Sequence, residues 1–204
     1  MGKSGSKEGV LEGLVIIDLT QMLAGPYCTM ILADHGADVI KIEPPEGDMS
    51  RRLGPYADQN EGQKHSGYFH SINRNKRSIV LDLKSEEGLQ IFKGLIEKAD
   101  AVVENFREGV MERLGLSYET LKEINPQLVY AAIRGFGDSR TGSGPYNEWP
   151  AFDIVAQAMG GFMSMTGSPE APTKAGPGVG DLVPGLMCAF GVVSAVRRAE
   201  QTGE

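Results

Sequence analysis

Residues 14–45 read LVIIDLTQMLAGPYCTMILADHGADVIKIEPP, two short β-branched runs separated by one helical pattern. LVIIDL (14–19) has the Val and Ile content of a strand buried on both faces. GPYCTMILADHGA follows, with Pro26 suited to a first helical turn and Gly36 placed to stop the helix. DVIKIEPP (38–45) then predicts a second strand, ended by two prolines. Strand, helix and strand at this pitch form a βαβ unit, whose crossover is right-handed and whose strands lie parallel.

The same alternation continues outward. SIVLDL (78–83) predicts a strand, and Ser85 caps a helix over EEGLQIFKGLIEKA, whose acidic first turn suits the helix dipole. DAVVEN (100–105) and LVYAAIRGF (128–136) predict two more strands, with a Ser117-capped helix over YETLKEIN between them. The fold class is therefore α/β: a Rossmann-like, mainly parallel sheet with helices on both faces. Ligands of such sheets bind beyond the carboxyl ends of the strands, which directs attention to TQMLAGP, EPPEGD, DLKS, ENFREG and RGFGDS. From 137 to 180 the composition turns to Gly, Pro, Ser and Thr, interrupted by one helical run, FDIVAQAMGGFMSM.

Composition narrows the function classes. With 204 residues and 41% hydrophobic content, the chain can bury one sizeable core. A net charge of −7 disfavours nucleic acid or an anionic membrane as partner. Cys28 and Cys188 are far apart in apolar surroundings and read as core thiols of a cytoplasmic, reducing compartment. The polar start MGKSGSKEG has no apolar signal core, so residues 1–10 read as a disordered leader and 11–204 as the domain. Leu182 to Val196 contains Pro184, Gly185 and Gly191, falls short of the roughly 20 residues of a membrane span, and reads as a buried helix. No G-x-G-x-x-G follows the first strand, which disfavours NAD, and His35, His65 and His70 lack metal-ligand spacing with the cysteines.

Three segments carry candidate chemistry. In KAGPGVGDLVPGLMCAFGVV (174–193) a single carboxylate, Asp181, precedes an apolar run. It fits a helix N-cap, and the helix dipole that favours a cap would also keep a carboxylate nucleophile ionised. The glycines of GPGVGD leave room for a bulky ligand near the backbone. NRNKRS (73–78) gathers Arg74, Lys76 and Arg77, either a solvated edge or a phosphate contact. ENFREGVMERLG offers Asn105 at a strand end, then Arg107 and Arg113 around a helix, a setting for an anionic nucleotide.

Taken in order, LEGLVIIDLTQMLAGPYCTMILADHGADVIKIEPPEGD, NRNKRSIVLDLKSEEG, ADAVVENFREGVMERLGLSYETLKEINPQLVYAAIRGFG, FDIVAQAMGGFMSMTG and GDLVPG resemble the class III CoA-transferases. That family includes formyl-CoA:oxalate and carnitine CoA-transferases and also the α-methylacyl-CoA racemases. The resemblance implies an acyl-CoA and a small carboxylic acid as substrates, with no metal and no NAD. It implies that Asp181 is the nucleophile that becomes an aspartyl-CoA thioester, with Asp153 as an acid beside it. It further implies that Leu23 and Ala24 lie along coenzyme A and the reacting centre. Leu81, Asp82, Leu83 and Lys84, then Asn105, Phe106 and Arg113, match positions that line the nucleotide and pantetheine.

Pro44 stands where some members carry an arginine for the CoA phosphates, with Arg51 or Arg52 as possible replacements, and Leu23 stands where some carry glutamine. Family members are about twice as long, form interlocked homodimers and have a second, smaller domain, so the resemblance covers an N-terminal half. Two alternatives accompany transfer. One is a racemase, whose histidine would occupy the position of Phe152; the other is a CoA-binding or assembly fragment that is catalytically incomplete.

Overall fold

A computed structural model describes residues 9–58 and 64–203. Most of the expected leader lies outside the described residues. Five strands form one sheet: β1 (Val15–Asp18), β2 (Asp38–Glu43), β5 (Arg77–Val80), β6 (Ala101–Glu104) and β7 (Val129–Ala132). Their order is β5-β2-β1-β6-β7 and every pairing is parallel, as the alternation of strands and helices requires. A two-stranded antiparallel ribbon, β3 (Tyr56–Asp58) and β4 (Lys64–Ser66), stands apart from the sheet. Among the described helices are α1 (Ala24–Asp34), α2 (Gly67–Asn73), α3 (Glu86–Ile96), α4 (Val110–Arg113) and α5 (Tyr118–Ile124). Three more follow β7: α6 (Asp153–Met159), α7 (Phe162–Thr166) and α8 (Val179–Thr202).

Neighbouring strand residues point to opposite faces, and each face has its own core. Ile17, Ile40, Ile42 and Val102 pack with Phe92 and Ile96 of α3 and Leu121 of α5. Ile16, Val39, Ala101 and Val103 pack with Cys28 and Leu32 of α1 and Ala189, Val192 and Val196 of α8. The expected serine caps form: Ser85 Oγ accepts the Gly88 N–H at 3.0 Å, and Ser117 Oγ accepts that of Thr120 at 3.3 Å. The helical run FDIVAQAMGGFMSM is two helices, because Gly161 takes a left-handed φ of 77° between α6 and α7.

Helix α8 departs from the expected short buried segment. It runs 24 residues, starts before Leu182, and is long and apolar enough by length and composition to cross a membrane. Pro184 lies inside the helix in its second turn, past the donors that a helix start leaves free, so it removes the bond a backbone N–H there would make to the Gly180 carbonyl. Gly185, Ala189, Val192, Val196 and Ala199 form its buried stripe, while Val183, Leu186, Met187 and Phe190 form a second apolar stripe that is 52–69% exposed. Cys28 is a core thiol as expected, and Cys188 is half-buried against it. The neighbouring Cys188 thiol and burial push the Cys28 thiol up.

Candidate active site

The sheet order reverses direction between β1 and β6, the place where an open parallel sheet leaves a crevice beyond its carboxyl ends. The loop after β1 supplies Gln21, Met22, Leu23 and Ala24 to that crevice, and the loop after β6 supplies Asn105, Phe106, Arg107 and Glu108. Between them is a cavity of about 410 Å³, closed on another side by Trp149 to Phe152 and by Gly180, Asp181 and Pro184 of α8.

The loop after β1 is held from below by buried polar groups. Asn105 makes two bonds to Gln21, accepting its N–H at 2.9 Å and donating to its carbonyl at 2.8 Å. Lys41 Nζ donates to the Thr20 carbonyl at 2.7 Å and pairs with Asp48 at 2.9 Å, both side chains fully buried. Met22 takes a left-handed φ of 69°, which costs a non-glycine residue roughly 1–2 kcal/mol. Its N–H points to Asp48 Oδ1 at 3.4 Å. Beneath, Asp18 accepts from Thr20 and Thr29 and pairs with Lys76 at 3.0 Å. Burial alone would raise the Asp18 carboxyl, but the Lys76 and Lys41 ammonium groups and the two hydroxyls hold it at about 2.

NRNKRS divides: Arg74 and Arg77 lie on a solvated edge, while Lys76 turns inward. Lys76 is buried on Asp18, while Arg74 pairs with Asp34 and Arg77 with Asp38. Arg51 is likewise committed, making a bidentate pair with Glu43 and stacking on the Phe69 ring at 3.7 Å.

Asp181 does not cap its own helix. Helix α8 begins at Val179 with Gly178 as N-cap, so Asp181 falls inside the first turn with its carboxylate in the cavity wall. The capping oxygen comes from α6: Asp153 Oδ1 accepts the Gly180 N–H at 2.8 Å. Asp153 is itself bound by Gln157 Nε2, 2.9 Å from each carboxylate oxygen, and by Lys174 Nζ at 2.8 Å. Burial alone would raise Asp153, but these donors hold it below the usual carboxylate range. Asp181 goes the other way. Burial and the neighbouring Asp153 charge raise its carboxyl to about 6, with Lys174 partly opposing. The helix dipole expected to keep Asp181 strongly ionised is outweighed, although at pH 7 roughly nine-tenths of it is still carboxylate.

The glycines around it serve packing more than ligand clearance. A Cβ on Gly178 would meet Leu23 Cδ2 at 3.1 Å, one on Gly180 would meet Ala156 Cβ at 2.9 Å, and one on Gly185 would meet the Ala24 carbonyl at 2.5 Å. Only with these residues bare can α8 lie this close to α1 and α6.

The structure thus brings Leu23, Ala24, Asn105, Phe106 and Asp181 to one cavity, with Asp153 directly behind Asp181. Leu81, Asp82, Leu83 and Lys84 lie outside its lining, after the edge strand β5, and Arg113 lies outside it on α4. Tyr68 of α2 also faces the cavity; burial and the Asp181 charge raise its phenol. Sequence reasoning missed it because α2 is only seven residues long, although Ser66, whose Oγ accepts the Phe69 N–H at 3.0 Å, is a capping signal for that helix. Among the described residues no group of three or more His, Cys, Asp or Glu side chains is placed to hold a metal ion.

A parallel α/β domain with a cavity at its switch point, and a helix-borne carboxylate in the wall of that cavity, defines a class: open-sheet α/β proteins built to bind a ligand beyond the strand ends. Residues 11–204 match the description "CoA-transferase family III", and the chain belongs to that family. It is 52% identical over 197 residues to a succinyl-CoA:mesaconate CoA-transferase of Haloarcula hispanica, covering 96% of this chain and 50% of that one. It is 46% identical to an acetyl-CoA:oxalate CoA-transferase of Acetobacter aceti, covering 97% and 49%. The crystal structure of a CAIB/BAIF family protein from Brucella suis superposes with a TM-score of 0.90 at 44% identity, covering 97% of this chain and 52% of that one. The chain spans about half the length of the curated relatives it matches.

Proposed function

We propose that this chain carries the coenzyme A site and the nucleophile of an acyl-CoA:carboxylate CoA-transferase, with Asp181 as the attacking group. The observation that carries the reading is the Asp181 carboxylate in the wall of the switch-point cavity, its pKa pushed up to about 6 by burial and the Asp153 charge. A carboxylate of higher pKa is more nucleophilic yet remains ionised near neutrality.

The Asp181 oxygen attacks the thioester carbonyl, the C–S bond breaks, and CoA leaves as thiolate, giving an acyl-aspartyl anhydride. The thiolate then attacks the Asp181 carbonyl and expels the donor acid, leaving an aspartyl-CoA thioester. An acceptor carboxylate attacks that thioester, and the returning thiolate takes the acceptor's acyl group and frees Asp181. Leu23, Ala24, Asn105 and Phe106 flank this centre as coenzyme A contacts; Leu81 to Lys84 and Arg113 would meet its more distant parts. Phe152 argues for transfer over racemisation, because the side chain at that position has no proton to exchange. The named relatives support succinate-, mesaconate- or oxalate-sized acids as partners of the reaction. A cytoplasmic homodimer of full family length completes the reading.

The test is mass spectrometry after incubation with an acyl-CoA, on the 204-residue chain and on a chain of full family length. A hydroxylamine-sensitive adduct on Asp181, absent in Asp181→Asn, is the expected result. Adduct on neither chain overturns the reading. Adduct on the long chain alone leaves the nucleophile in place and makes these 204 residues a CoA-binding half.

A further inference from the structure

The pair behind Asp181 is built more fully than a helix cap requires. One backbone N–H of α8 needs one acceptor, and Asp153 Oδ1 supplies it. Yet Asp153 also takes Gln157 on both oxygens and the Lys174 ammonium at 2.8 Å. The same two donors hold the strap of chain that leads into α8. Gln157 Oε1 accepts the Ala175 N–H at 2.9 Å, and Lys174 Nζ donates back to the Ala175 carbonyl at 2.9 Å. Gln157 is 2% exposed, and Gly180 has no space for a Cβ against Ala156 and the Asp153 carbonyl. The position of the first turn of α8 is therefore fixed from α6 and the strap, through Asp153.

We propose that Lys174 is a positioning residue for Asp181: it pins the Asp153 carboxylate on the Gly180 N–H and, among the described residues, is the cation that faces both acids. This rests on the reading of Asp181 as nucleophile and adds to it the group that sets its orientation and charge. The groups facing Asp181 from neighbouring elements are Asp153 of α6, Tyr68 of α2 and Lys174 of the strap, with Arg107, Glu108 and Arg134 elsewhere on the cavity wall. Arg134 is already committed to Glu104 and Asp138. The Lys174 side chain is 35% exposed, and ion pairs of that exposure add little to stability, so its removal tests placement and charge instead of folding.

The experiment is a carboxyl-carbon NMR titration of Asp181 in aspartate-labelled protein, assigned by the signal that disappears in Asp181→Asn. In Lys174→Met the Asp181 midpoint moves up by on the order of one pH unit, because the opposing cation is gone while Asp153 keeps its charge through Gln157 and Gly180. Lys174→Arg restores it. The Gly180 amide signal, which reports the bond to Asp153, shifts in Lys174→Met and in Gln157→Leu. An unmoved midpoint in Lys174→Met, or equal movement in the Arg and Met variants, overturns the assignment. No acyl-CoA is present in this titration. The shift seen while neither the 204-residue chain nor the chain of full family length forms an adduct on Asp181 therefore removes the transferase reading and leaves the positioning role standing.

Discussion

Asp153 and Asp181 both fall in the first turns of helices, yet their surroundings drive their acidities apart. The difference lies in donors: Asp153 is met by an amide, an ammonium and a backbone N–H, whereas Asp181 is governed by burial and by the Asp153 charge, which Lys174 only partly opposes. That arrangement has a stability consequence. Because the folded Asp181 carboxyl titrates at about 6 and the free one near 3.8, the folded state holds more protons between those values. Stability therefore falls as pH rises through that window, and above it the whole penalty is present. Discounted for its partial exposure, the penalty is about 1–2 kcal/mol. Asp181→Asn is expected to stabilise the protein by that amount at pH 8 and by little at pH 4. Urea unfolding of both proteins at the two pH values checks it, and an equal difference at both would contradict the assigned cause. The acid itself was legible in the sequence, since a lone carboxylate before an apolar run has few uses. Its partner set was not, because Gln157 and Lys174 reach Asp153 through tertiary contacts with no local pattern.

At the scale of elements, strands β1, β2, β5 and β6 follow directly from β-branched runs bounded by turn residues, and the helices with serine caps fall where those caps predict. What escaped were pieces too short to show a period: the β3–β4 ribbon and the seven-residue α2. Strand β7 is shorter than LVYAAIRGF promised: it ends at Ala132, and beyond it Arg134 makes a bidentate pair with Glu104. The crossing of α1 and α8 depends on a residue whose sequence signal pointed elsewhere. Gly185 reads as a helix-weakening glycine, but its missing Cβ is what lets α8 lie against the Ala24 carbonyl. Gly185→Ala, which would favour the isolated helix, is expected to destabilise the protein by about 1–3 kcal/mol, measured by chemical denaturation. The same substitution at Gly191, whose Cβ position is open, is expected to be neutral or stabilising.

Across the whole molecule, the cavity is assembled from residues 21–24, 105–108, 149–156 and 180–184, so no local segment contains it. The sheet below is far more strongly built than the strap. Ile17 and Val103 are fully buried in paired strands, whereas 171–173 are exposed and the Ala175 N–H is held by one side-chain acceptor, Gln157 Oε1. Amide hydrogen exchange is therefore expected to be faster at Ala175 and Gly180 than at Ile17 and Val103, and equal protection would show that strap and sheet open together. If the strap does open first, Asp153 loses its grip on Gly180 while every strand stays paired. Warming would then unseat the Asp181 carboxylate at a temperature where the protein still looks native to circular dichroism, with recovery on cooling, since nothing in the sheet has to refold.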